Sequence, residues 1–196
     1  MAEVPMSAVI REATHPARYS VEARRQPVAQ PAALLRYIAQ VEDILASSAD
    51  TAAIPARVAG PLAELACVRD LLSPEQRTGQ PDKYTRHTLY ADPQGRFTVL
   101  AIVWMPGQTT RVHGHTAWGV VAVHEGRPSV ALYEYEPGYG ALPREEIRCV
   151  PGEVSWVRAG IQYPHRIFNA DQRVAITLHT YGRDLSEDPC AINIPV

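Results

Sequence analysis

The chain has 196 residues, a formal net charge of −2, 46% hydrophobic and 20% charged residues, and three cysteines. That length carries one domain with a sizeable core plus an extension, and the balance is that of an ordinary soluble globular protein. The weak charge, with no run of Lys or Arg, argues against a nucleic-acid partner, and no apolar stretch reaches the roughly 20 residues of a membrane span.

Residues 1–30 scatter Pro5, Pro16 and Pro27 among many charges without periodicity. They predict a poorly ordered or surface-wrapping arm, and the lack of a continuous hydrophobic centre argues against a signal peptide. Residues 31–80 read as a helical region packed on the main domain. Leu34, Ile38, Val41 and Leu45 form one amphipathic stripe. A second helix is expected to begin at Pro61, to carry Leu62, Leu65, Val68 and Leu72, and to stop at Ser73-Pro74.

From Tyr84 onward, short Val/Ile/Thr/Tyr-rich runs alternate with turns. Strands are expected at 84–91, 96–104, 118–124, 129–136, 145–150, 153–158, 165–169 and 173–181. Many short strands make residues 81–196 a mainly β domain, a sandwich or barrel. Cys67, Cys149 and Cys190 are odd in number and form no CxxC pair, as expected of reduced thiols in a cytoplasmic protein.

The chemistry concentrates on histidine. His113 and His115 are two residues apart, so on a strand both project from one face. His165 follows about fifty residues later. Taken singly, each reads as a surface or satisfied core histidine. Together, with Gly107, Gly126, Gly152, Gly160 and Asn169 spaced around them, they point to a metal site with open positions. His15, His87 and His124 have no such support and read as surface or packing residues.

These spacings resemble the two motifs of the cupin superfamily, which implies a jelly-roll β-barrel with N-terminal α-helices. The first motif's usual Glu ligand is absent, since Gly119 and Val120 occupy its positions. Three neutral imidazoles leave a divalent ion its full charge and room for an anionic guest. A thiolate is a natural one, because metal coordination deprotonates a thiol.

A closer resemblance spans residues 80–182: Tyr84-Thr85-Arg86, Val103-Trp104, Pro106-Gly107, His113-Gly114-His115-Thr116, Pro164-His165-Arg166-Ile167 and Thr177-Leu178-His179-Thr180-Tyr181. In this the chain is similar to the cysteine dioxygenase family of thiol dioxygenases. The resemblance implies one Fe(II) per chain held by His113, His115 and His165, with O2 as co-substrate. It implies that Arg86 grips the substrate carboxylate, with Tyr84 lining the pocket. It also implies that Thr177, His179 and Tyr181 form a hydrogen-bonded catalytic row on one strand face. Thr177 stands where the family has Ser, and Gly114 stands between the histidines where Asp is common. No Cys is available at Gly119 or Val120 to cross-link Tyr181, as in bacterial relatives.

The expected activity is oxidation of L-cysteine to cysteine sulfinic acid by a monomer or small homo-oligomer. The alternatives are another small thiol carboxylate (3-mercaptopropionate or mercaptosuccinate), or a non-catalytic metal-binding cupin that acts as a sensor or binding module. Arg86 favours cysteine over 3-mercaptopropionate, because relatives acting on the latter usually carry Gln there. A hydrolytic three-His zinc site of the kind seen in lyases is a further, weaker reading.

Overall fold

The structure, a computed structural model, describes residues 30–188 and 190–196, so the expected arm lies outside the described residues except for Gln30. Helix α1 (Ala32–Ser47) buries Leu34, Ile38 and Val41 of the stripe read from the sequence, together with Tyr37 and Ile44, while the fourth expected member, Leu45, is only partly buried against the same core. Helix α2 (Ile54–Ala66) departs from expectation at both ends: it starts at Ile54 and holds Pro61 in its interior, and it stops at Ala66, before Val68 and Leu72, which pack on the same core from beyond the helix. A 3-10 turn (Thr51–Ala53), capped by the Asp50 side chain on the Ala52 N–H at 2.8 Å, leads straight into it. Pro55 thereby takes the first-turn place expected of Pro61. Pro61 forfeits one bond, to the carbonyl of the exposed Arg57. The burial of Ile54, Val58, Leu62 and Leu65 offsets that loss, since each buried aliphatic side chain contributes about 1.5–3 kcal/mol.

Among the described residues ten strands follow: β1 (Thr85–Ala91), β2 (Thr98–Trp104), β3 (His113–His115), β4 (Gly119–Glu125), β5 (Ser129–Glu136), β6 (Gly140–Arg148), β7 (Val154–Val157), β8 (Gly160–Phe168), β9 (Ala175–Tyr181) and β10 (Asn193–Pro195). They form two antiparallel five-stranded sheets, β1-β2-β9-β4-β7 and β10-β3-β8-β5-β6. Strands β2 to β9 thus fill two four-stranded layers, 2-9-4-7 and 3-8-5-6, with consecutive strands changing layer everywhere except at the β5–β6 pair, which is the winding of a jelly roll. No ladder joins the layers among the described residues, so the expected barrel is an open sandwich, its interior spanned by side chains.

Strands β3 and β10, three residues each, lie outside the expected runs of strand-forming residues, although β3 is the strand on which the reading of His113 and His115 depends. Two others are longer than expected. β6 runs through Pro143 because it is an exposed edge strand, where a missing N–H is tolerated. β8 runs through Pro164 because its pairing to β3 is bulged between His165 and Gly160.

The helices cover one face of the first sheet. Val41, Val58 and Leu62 share a core with Val99, Ala101, Ala122, Ile176 and Leu178. A 2.6 Å hydrogen bond between the Tyr37 and Thr180 hydroxyls ties α1 to β9 inside that core. No helix among the described residues is long and apolar enough to cross a membrane. Strand β9 is buried on both faces. Ile176 and Leu178 join the helix-side core, while Tyr181 joins a second core between the sheets with Leu100, Ile102, Trp104 and Ile167.

Candidate metal centre

The ladder between β3 and β8 sets His113 opposite His165, and the two-residue repeat of β3 brings His115 to the same face. The three rings are buried, with centroids 5.0 Å (His113–His115), 4.8 Å (His113–His165) and 4.9 Å (His115–His165) apart. One ligand nitrogen from each lies within 4.8 Å of the others. The His113 Nδ1–H donates to the Arg111 carbonyl at 2.8 Å, which leaves Nε2 as its free donor. Burial holds all three rings in the neutral form that metals require: it lowers His113, pushes His165 down to about 4, and with the neighbouring histidines takes His115 to about 2. The cluster contains no carboxylate or thiolate. This donor set fits a divalent ion that accepts imidazole nitrogen and keeps further positions for other ligands.

The backbone explains two unusual positions. A Cβ on Gly114 would meet the Gly160 carbonyl oxygen at 2.4 Å and the Ile161 Cα at 2.9 Å, so the bulge opposite His115 admits only glycine there. This accounts for His-Gly-His. A Cβ on Gly119 would meet Cδ1 and Cε1 of Tyr181 at 2.9 Å. The neighbouring Val120 belongs to the helix-side core. Neither position can present a carboxylate to the histidines without displacing the Tyr181 ring or leaving that core.

The inner face of β9 carries a continuous chain of hydrogen bonds. The Trp104 Nε1–H donates to Thr177 Oγ1 at 2.8 Å, Thr177 Oγ1 lies 2.7 Å from His179 Nε2, and His179 Nδ1 lies 2.9 Å from the Tyr181 hydroxyl. The Tyr181 and His115 ring centroids are 5.8 Å apart. Burial raises the Tyr181 phenol above its ordinary range, and burial reinforced by the Arg86 charge lowers His179 to about 3. Arg86 donates to the Tyr84 hydroxyl at 3.0 Å, with its guanidinium 4.8 Å from that ring's centroid. Tyr84 in turn packs on Trp104 at 4.6 Å between centroids.

A cavity of about 20 Å³ is lined by Tyr84, Arg86, Trp104, His113, His179 and Tyr181. Another of about 90 Å³ touches His115, His165, His179 and Tyr181. A larger one of about 320 Å³ shares Val121, Val130, Leu132, Ser155 and Ile167 with the second and is mostly apolar. All eight residues singled out from the sequence line this one region, Thr177 through the larger cavity. His87 and His124 bond the carbonyls of Thr78 and Ala66 as packing residues, while His15 lies outside the described residues.

Two contributors went unassigned in the sequence. Trp104 had no role there, although the alternation of β2 through Leu100 and Ile102 puts it on the inner face. The C-terminal segment brings Ile192 and Asn193 to the small cavity and the Cys190 Sγ to 3.8 Å from Arg86. Its three-residue strand leaves no periodic signal.

No protein-family profile matches the chain. Among solved structures it is similar to a protein from Thermus thermophilus, at 21% identity over 58% of this chain and 97% of that one, with a TM-score of 0.46. It is also similar to a cupin superfamily protein from Desulfitobacterium hafniense, at 13% identity over 60% and 89%, with a TM-score of 0.43. A DMSP lyase from Ruegeria pomeroyi matches at 16% identity over 59% and 56%, with a TM-score of 0.42. Likenesses of this strength do not bear on chemistry.

Proposed function

We propose that the chain is a non-haem iron(II) thiol dioxygenase acting on a small thiol carboxylate, with L-cysteine as the leading substrate. The supporting observation is a juxtaposition. An all-histidine metal site, a Thr177–His179–Tyr181 chain and the Arg86 guanidinium meet around adjoining cavities. A non-catalytic metal-binding cupin has no evident use for a buried phenol held in this way.

The reaction converts R–SH and O2 into R–SO2H, with both oxygen atoms ending on sulfur and the four electrons supplied by the thiol sulfur. His113, His115 and His165 would hold a ferrous ion, which would supply a centre able to take a thiolate and O2 together, a proximity effect. The chain's own residues do the rest. Arg86 receives the substrate carboxylate, where a guanidinium fork fixes orientation through two parallel charge-assisted bonds. Tyr84 holds one edge of that fork through its hydroxyl. Tyr181 keeps its proton across the physiological range, because burial disfavours the phenolate. It therefore offers a hydroxyl hydrogen bond to the substrate. Trp104, Ile102 and Ile167 wall the chamber with apolar surface. A reducing cytoplasm would keep such a substrate as free thiol.

The test is oxygen uptake by Fe(II)-loaded protein with cysteine, 3-mercaptopropionate and mercaptosuccinate in turn, followed by product mass. Thiol-dependent uptake with gain of two oxygen atoms is expected, fastest for cysteine. A faster rate with another of these thiols would move the substrate assignment, and stoichiometric metal without uptake for any thiol would return the chain to a binding role.

A further inference from the structure

We infer that Trp104 is a positioning residue that fixes the direction of the proton chain, so that the Tyr181 hydroxyl proton points toward the histidine site. An indole N–H only donates, so Thr177 Oγ1 must accept from it at 2.8 Å. The Thr177 hydroxyl proton then needs an acceptor of its own. Thr177 is buried, and the only other hydrogen-bond partner of its oxygen among the described residues is His179 Nε2, at 2.7 Å. Thr177 accordingly donates to Nε2. A neutral imidazole whose Nε2 accepts carries its proton on Nδ1. That Nδ1–H donates to the Tyr181 oxygen at 2.9 Å. The Tyr181 O–H is thereby excluded from His179 and left for the cavities that Tyr181 lines beside His115 and His165.

The opposite direction fails on one atom. If Nε2 carried the proton, Thr177 would accept from both Trp104 and His179, and its own hydroxyl hydrogen, on a residue 1% exposed beside a mostly apolar cavity, would have no partner among the described residues. Leaving a buried polar group unpaired disfavours a state by about 1–3 kcal/mol, roughly five- to 150-fold in population. Tyr181 would then give its proton to Nδ1 and present only lone pairs to the site. Trp104 is itself held in place: the Asn169 side chain donates to its carbonyl at 3.0 Å, and Tyr84 packs on its ring.

The proton direction stands on the hydrogen-bond geometry alone, whereas its use in catalysis rests on the thiol-dioxygenase reading. The decisive experiment is long-range ¹H–¹⁵N correlation on full-length, ¹⁵N-histidine-labelled protein loaded with Zn(II) as a diamagnetic stand-in. Wild type is expected to hold His179 as the Nδ1–H tautomer. Trp104→Phe vacates the position that the indole denies to the Thr177 proton, and a water entering there can accept it. The Nε2–H share should then rise about tenfold or more, by the 1–3 kcal/mol argument above. Thr177→Ser should keep the wild-type tautomer and Thr177→Val should mix the two, which carries the test even if Trp104→Phe does not fold. An Nε2–H tautomer in wild type overturns the inference, as does a folded Trp104→Phe or Thr177→Val protein with a wild-type His179 spectrum. The expected tautomer in a protein that oxidises no thiol would sink the dioxygenase reading and leave the proton direction standing.

Discussion

The two sheets divide the labour of the site. All three candidate metal ligands stand on β3 and β8 of one sheet, whose outer strand β6 is largely exposed. Arg86, Trp104 and the Thr177–His179–Tyr181 row stand on β1, β2 and β9 of the other, where β2 and β9 are buried at every residue and backed by helices. Metal binding needs only three donors that converge. Proton and substrate handling needs side chains locked in single orientations, and close packing on both faces of a strand supplies that lock. Substitutions should therefore separate metal loading from turnover according to the sheet they fall on.

The largest effect is expected from the ligands themselves. His165→Ala should weaken Fe(II) binding by more than the roughly 10–100-fold typical of losing a residue that merely supports a ligand, as read by anaerobic titration. The His179 tautomer should be untouched. Tyr181→Phe should do the reverse, keeping full iron content while turnover falls about 10²-fold or more, the usual scale for a positioned proton-bearing group. Equal loss of iron in both variants would erase the distinction between the sheets. Arg86→Ala should leave iron in place and weaken anaerobic cysteine binding about tenfold or more, the worth of a hydrogen bond to a charged group. Unchanged cysteine affinity would remove Arg86 from substrate recognition.

Smaller effects should mark the helix layer behind the first sheet. Tyr37→Phe removes the bond to Thr180 and should lower stability by about 1 kcal/mol in denaturant titration, with the metal site intact. Acid should loosen the same layer. Arg96 bonds both Asp92, beside the β1–β2 hairpin, and Glu42 of α1, and its hydrogen bond is the main reason the Asp92 carboxyl sits at about 2 rather than 3.8. The folded value is depressed, so this contribution is fully present above about pH 4 and is lost as pH falls through about 2. Asp92→Asn should flatten that part of the acid melting curve. An unaltered curve would show that the contact carries no pH-dependent stability.

Much of this was legible in the sequence because it rests on short periods. The two-residue repeat placed His113 with His115 and set Thr177, His179 and Tyr181, which the family resemblance had singled out, on one strand face, while the 4-3-4 stripe found α1. What escaped depends on contacts distant in the chain. The bulge that demands Gly114 arises from Gly160, and β10 exists only through pairing with β3. The start of α2 was misread because Pro61 looked like a first-turn proline, while the Asp50 cap and Pro55 had already begun the helix. An open sandwich instead of a closed barrel is likewise a matter of how edge strands meet, which no local pattern records.

The most direct test is anaerobic titration of metal-free protein with Fe(II), wild type beside His165→Ala and Tyr181→Phe. One tightly held ion per chain is expected in wild type and Tyr181→Phe, and none in His165→Ala. Wild-type protein that takes up no ion, or His165→Ala that takes it up as tightly, would contradict an iron site built from these three histidines.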